Sequence, residues 1–207
     1  MNNFAEDLTY WYFRLNGFFL LQNYVLHNIG EGEERGTADS DLLAIRFPYV
    51  YEEIGGQSKD WDREKFLEWG FDIEKDNLAL IVEVKSGENV KRSEIEKSFS
   101  SKRLKTALYR FGIFPRDDVQ RIHKNLLRRR YVKESSWFIA KVAVTGNKIE
   151  GNWLNITIQE IDRFIYKRIE AYSHDKYADR VYFPSILIQY IAWKNKENNK
   201  NIHRNKY

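Results

Sequence analysis

Glu83 and Lys85 flank Val84 at the end of an otherwise apolar run, Leu78 to Val82. Side chains along a strand alternate faces, so Glu83 and Lys85 point one way while Val82 and Val84 point the other. A charge buried without a partner is costly. A strand that places two charges on one face therefore implies a metal, a substrate or an ion pair on that face. Asp41 opens a second apolar run, Leu42 to Ile45, in a strand that continues through Arg46 to Phe47. It is a third charged group at the margin of a buried strand.

The elements that must position these residues follow from periodicity and turn chemistry. Residues 4–28 read as one long aromatic-rich helix, with Tyr10, Phe13, Leu20, Tyr24 and Val25 near helical spacing and Gly17 as a local weak point. Gly30 to Gly36 is an acidic loop. Asp41 to Phe47 is a strand closed by Pro48, and residues 49–76 are an irregular insertion with a short helix over Asp60 to Trp69. Leu78 to Lys85 is the second strong strand. Ser93 and Glu96 have capping-box spacing and open a helix that runs to Gly112; Pro115 begins the next, which ends in Arg128, Arg129 and Arg130. Trp137 to Val144 is a third strand, and Trp153 to Ile156 a short fourth. Thr157 and Glu160 form another capping box before the stripe Ile158, Ile161, Phe164, Ile165 and Ile169. Pro184 to Trp193 reads as a final helix.

Composition bounds the function classes. The chain of 207 residues has no cysteine, which excludes disulfides, thiolate zinc sites and cysteine-ligated iron–sulfur clusters. Its acidic N-terminus lacks the basic region of a secretory signal, and no apolar stretch is long enough to span a membrane, so a cytoplasmic protein is expected. Residues 1–90 hold 8 Lys and Arg against 18 Asp and Glu, whereas residues 91–207 hold 26 against 12. An acidic half joined to a basic half suits a metal-binding centre beside a polyanion-binding surface; mutual attraction of the halves accounts for it equally well.

The order is a helix, a strand headed by Asp41, a strand ending in Glu83-Val84-Lys85, a helix and a strand. This resembles the PD-(D/E)xK nuclease superfamily, the restriction-endonuclease-like fold. The resemblance covers residues 4–145 in element order and three residues in chemistry. Ser40 stands where the motif name has proline, and the long spacing from Asp41 to Glu83 makes residues 49–76 an insertion.

The resemblance implies an α/β fold with a central mixed sheet flanked by helices. Residues 1–150 would be the core, 151–193 a helical extension packed on it, and 194–207 a disordered basic tail. It also implies a metal-dependent deoxyribonuclease with Asp41, Glu83 and Lys85 as catalytic residues. Mg²⁺ (or Mn²⁺) would be held by Asp41, Glu83 and the carbonyl of Val84, since hard ions prefer such oxygens and keep several waters. Lys85 would position the attacking water and neutralise developing charge. Asp39 competes with Asp41 as a ligand, and Glu52 and Glu53 are further candidates. Members of the superfamily often carry an acid on the first helix; this segment offers Asn16, Gln22 and Asn23, with Glu6 and Asp7 near its start.

DNA is the expected partner ahead of RNA, in a restriction or defence setting, with a homodimer or a partner subunit allowed. Lys102, Arg103, Lys105, Arg128, Arg129 and Arg130 are candidate phosphate contacts. Tyr109 reads as core from its helical spacing, and His27, His123, His174 and His203 lack ligand spacing. The alternative is a non-catalytic module of the same fold that binds nucleic acid or a protein, with Glu83 and Lys85 as an internal ion pair.

Overall fold

A computed structural model describes residues 3–26, 38–53, 55–172 and 185–194, with backbone alone for 25–26 and 38–39. The acidic loop at 30–36, Pro184, His27, His174, His203 and residues 195–207 fall outside the described residues, and so does the side chain of Asp39.

The first helix, α1 (Phe4–Leu15), is capped at its start by Asn3, whose side-chain oxygen accepts from the N–H groups of Ala5 and Glu6 at 3.0 and 3.1 Å. It stops far short of residue 28. Gly17 has φ +80°, and the N–H of Gly17 donates to the carbonyl of Arg14 while that of Phe18 donates to Phe13. This pair of bonds is a left-handed helix stop, and the Phe13 and Phe18 rings pack edge-on across it at 5.3 Å. The chain then turns into a strand, β1 (Phe19–Leu26). The single long helix expected over 4–28 is thus corrected to a helix and a strand. Apolar residues on every face of 18–26 satisfy either period, and the glycine stop decides between them.

Two buried arginines cover the carbonyl end of α1. Arg46 Nε donates to the carbonyl of Asn16 at 2.9 Å, and Arg168 Nη2 donates to that of Leu15 at 3.2 Å. Cations here complement the helix dipole. Arg46 is fully buried, and its guanidinium lies 4.3 Å from the centre of the Trp61 ring. Burial lowers its pKa to about 10, against the field of Glu74.

The chain continues through β2 (Ala38–Arg46), α2 (Arg63–Glu68), β3 (Asn77–Lys85), α3 (Arg92–Ser98), α4 (Ser101–Phe111), α5 (Arg116–Arg128), β4 (Tyr131–Glu134), β5 (Trp137–Thr145), β6 (Leu154–Thr157), α6 (Ile158–Ala171) and a helix α7 over residues 186–194. The fold is α/β, with one six-stranded mixed sheet in the order β1-β2-β3-β5-β4 and with β6 also on β5. β1, β2 and β3 are antiparallel in turn, β3 and β5 are parallel, and β4 and β6 pair with successive halves of β5. The proposed division at residue 150 thus runs between two paired strands of one sheet. β3 is buried along Leu78 to Val84, as expected of a central strand.

The sheet separates two apolar layers. Leu78, Leu80, Val82 and Val84 face α1, α2, α6 and α7, while Ala79 and Ile81 face α3, α4 and α5. By alternation Glu83 and Lys85 belong to the second side. Two further details differ from the sequence reading. The helix expected over 93–112 is broken at Phe99 and Ser100, with Lys91 rather than Ser93 at its N-cap and no side-chain cap. β4 interrupts the basic segment after α5 and is too short to leave a periodic signal. The Thr157–Glu160 capping box and the left-handed Gly112 stop are present as expected, and the 161–169 stripe is core.

Candidate functional site

The regular ladder between β2 and β3 ends at Leu42 opposite Val82, so the next row brings Asp41 to the level of Glu83. On the other side of β2 the pairing skips the same row. Gln22 faces Leu42 and Tyr24 faces Ser40, while Asn23 between them has φ +51°. Few residues other than glycine adopt that conformation, and strained backbone clusters at functional sites. Asn23, Asp41 and Glu83 therefore lie at one level across three strands, at the point where main-chain pairing gives way to side chains.

Asp41 replaces the missing ladder bond. Its Oδ2 accepts from the backbone N–H of Val84 at 2.7 Å. Glu83 is 5% exposed, and its Oε1 accepts from Lys85 Nζ and from Ser98 Oγ, each at 2.6 Å. Lys85 keeps about a third of its side chain in solvent.

The electrostatics follow from this crowding. Burial and then the Glu83 charge push Asp41 up to about 7, against the Val84 N–H and the Lys85 ammonium, and the field of Glu6 on α1 adds to the rise. For Lys85, burial opposes the charged form. Glu83, through its field and hydrogen bond, outweighs that with help from Asp41, and the ammonium is held above its usual range. Arg103 on α4 works against it, which places that guanidinium within electrostatic reach of the site.

The expected trio Asp41, Glu83 and Lys85 is brought together. Val84 meets Asp41 through its N–H, which is not the carbonyl expected to ligate a metal. Glu52 is drawn elsewhere, to Arg14 at 2.9 Å, and Glu53 is exposed. Among the described residues no three His, Asp or Glu side chains converge as a metal-binding cluster. Mg²⁺ does not need three, since one or two carboxylates and retained waters suffice. A buried carboxylate, Glu83, beside an Asp41 whose ionisation burial and the Glu83 charge oppose, is a donor set that a divalent cation relieves.

The basic residues divide into two groups. Arg103 lies near Lys85, and Lys105 sits with its ammonium 5.9 Å from the ring of Tyr109, which is 41% exposed and not core. Lys102 is exposed on the same helix. Arg128, Arg129 and Arg130 instead line an open groove of about 730 Å³ with Arg121, Asn125 and Lys133, beside the far edge strand β4. Arg130 is 3.5 Å from Glu150 and Arg121 is 2.8 Å from Glu134.

Two residues weighed for the first segment, Asn23 and Glu6, and two not singled out from the sequence, Ser98 and Lys141, emerge from the fold. Ser98 touches Glu83, Asn23 shares the level of Asp41, and Glu6 adds its field. Lys141 on β5 is 2% exposed, donates to the carbonyl of Leu127 at the end of α5 at 3.4 Å, and is pushed down to about 8 by burial. Asn23 and Glu6 were legible only as polar or acidic positions in the first segment, and Lys141 as a lysine within an apolar strand, whereas Ser98 left no signal. His123 is structural, hydrogen-bonded through its ring to Ser101. No helix among the described residues is long and apolar enough to cross a membrane. Compared with family models, curated proteins and solved structures, the chain matches none of them.

Proposed function

We propose that this protein is a metal-dependent nuclease of the PD-(D/E)xK type that hydrolyses phosphodiester bonds of DNA. The observation that carries the reading is the meeting of Asp41 and Glu83 at the ends of neighbouring strands, with Lys85 on the same face and bonded to Glu83. Asp41 and Glu83 would hold Mg²⁺ or Mn²⁺. When bound, the ion supplies charge neutralisation and a water of lowered pKa. Lys85 is a long-stemmed cation with about a third of its side chain in solvent, and it can leave Glu83 for a phosphate oxygen or the attacking water. Arg103, whose field reaches Lys85, supplies a second positive charge suited to hold the substrate phosphate. By the habit of that superfamily, a cytoplasmic role in restriction or defence accompanies the activity.

A second reading is a non-catalytic module of the same architecture. The closed Lys85–Glu83 pair favours it, since an ion pair needs no metal. The two separate on incubation of the protein with plasmid, linear and single-stranded DNA, and with RNA, in Mg²⁺ or Mn²⁺. Cleavage by the wild type that is lost in Asp41→Ala and Lys85→Ala supports the nuclease. Salt-sensitive binding without cleavage of any substrate supports the module.

A further inference from the structure

We infer that Ser98 is the positioning residue for Glu83, the group that fixes which oxygen of that carboxylate is offered to a divalent cation. The inference rests on the metal-centre reading of Asp41 and Glu83 given above.

A serine within a helix ordinarily donates to the carbonyl four residues earlier. For Ser98 that acceptor is Glu94, and it stands 3.3 Å away. Glu83 Oε1 is at 2.6 Å. The hydroxyl has one proton, and the shorter contact has the length of a hydrogen bond to a carboxylate. Ser98 therefore gives its proton to Glu83 in preference to its own helix.

The local fold holds the hydroxyl there. Ser98 is the last residue of α3 and is 7% exposed. Ile95 and Phe99, on either side of it in sequence, are both buried, and the Phe99 ring packs 6.1 Å from that of Trp153. The helix ends here because Phe99 turns into the core, and α4 starts afresh at Ser101. α3 is thus anchored over β3 by two apolar side chains, with the hydroxyl between them.

Ser98 and Lys85 both bind Oε1, and among the described residues Oε2 accepts no hydrogen bond. The two donors differ in permanence. Lys85 has a long, partly exposed side chain that can swing to another anion. Ser98 is short and buried, and stays when Lys85 leaves. It contacts Glu83 and not the substrate, so its effect passes through the orientation of that carboxylate.

The test is calorimetric titration of Mn²⁺ into the full chain, comparing wild type with Ser98→Ala, Ser98→Thr and Ser98→Cys. Each protein is checked for folding by thermal melting. The expected result is a loss in Mn²⁺ affinity of roughly 10- to 100-fold for Ser98→Ala, with Ser98→Thr close to wild type and Ser98→Cys, a weaker donor, between them. In DNA cleavage the Ser98→Ala defect should appear in the Mn²⁺ concentration required and shrink at saturating metal. A purely structural serine would lower the melting temperature and leave metal affinity unchanged. Mn²⁺ affinity equal in wild type and Ser98→Ala overturns the role of Ser98 alone. A wild type that binds no Mn²⁺ overturns the metal centre, and this role with it.

Discussion

Asp41 and Val84 are joined across two strands by a hydrogen bond of 2.7 Å from a backbone N–H to a carboxylate, just where the ladder between β2 and β3 ends. The bond brings the Asp41 carboxyl group close to Glu83, and it leaves the site with more negative charge than Lys85 neutralises. Most of the expected behaviour follows from that imbalance.

The first consequence is a pH dependence of stability. Asp41 is raised from 3.8 to about 7 in the folded protein. Folding therefore takes up a proton between roughly pH 4 and 7, and metal-free stability falls as pH rises through that window. Asp41→Asn keeps an acceptor for Val84 and removes the charge. Above pH 7 it should be more stable than wild type by about 1–3 kcal/mol, and below pH 4 the two should converge. Melting curves at pH 4, 6 and 8 measure the difference. The same variant should lose Mn²⁺ binding.

Lys85 has two separable roles. It is the cation that occupies Glu83 in the metal-free site, at 2.6 Å. Lys85→Ala should therefore bind Mn²⁺ as tightly as wild type or more tightly, while DNA cleavage falls by roughly 100-fold or more. Metal titration and single-turnover cleavage on the same preparation read the two effects. Loss of metal affinity in Lys85→Ala would show that the lysine supports the centre rather than competing for it.

The two basic surfaces should differ in kind. Arg103 acts on Lys85, so Arg103→Ala should lower the cleavage rate of bound DNA. Arg128 and Arg129 line the groove beside β4. The double substitution to alanine should weaken binding and reduce the slope of log affinity against log salt by about 1–2, with the rate at saturating DNA unchanged. Binding isotherms at several salt concentrations, with single-turnover rates, distinguish them.

Gly17 governs the turn from α1 into β1. At φ +80° a β-carbon would be strained, and it would also meet Val50 Cγ1 at 2.8 Å. Gly17→Ala should cost at least about 1 kcal/mol. Denaturant unfolding measures it, and an unchanged midpoint would mean that the turn is not held as described.

The sequence made the site more legible than the fold around it. Charges in an apolar run are rare enough to mark Glu83 and Lys85, and strand alternation alone puts them on one face. Asp41 was legible because it abuts a second apolar run. β1 was hidden because residues 18–26 are apolar at almost every position, so helical and strand periods fit equally; the glycine at 17 was the cue. The break between α3 and α4 has no Gly or Pro to announce it, because burial of Phe99 produces it. Ser98 was invisible for the same reason, since its partner lies fifteen positions away on a strand and only the packed helix brings them together.

The most direct test of the account is a crystal structure grown or soaked with Mn²⁺ and read by anomalous scattering. A peak is expected within roughly 2.0–2.3 Å of oxygens from both Asp41 and Glu83, with Glu83 still bonded to Ser98. No peak at that position under saturating Mn²⁺, with the Lys85–Glu83 pair intact, would contradict it.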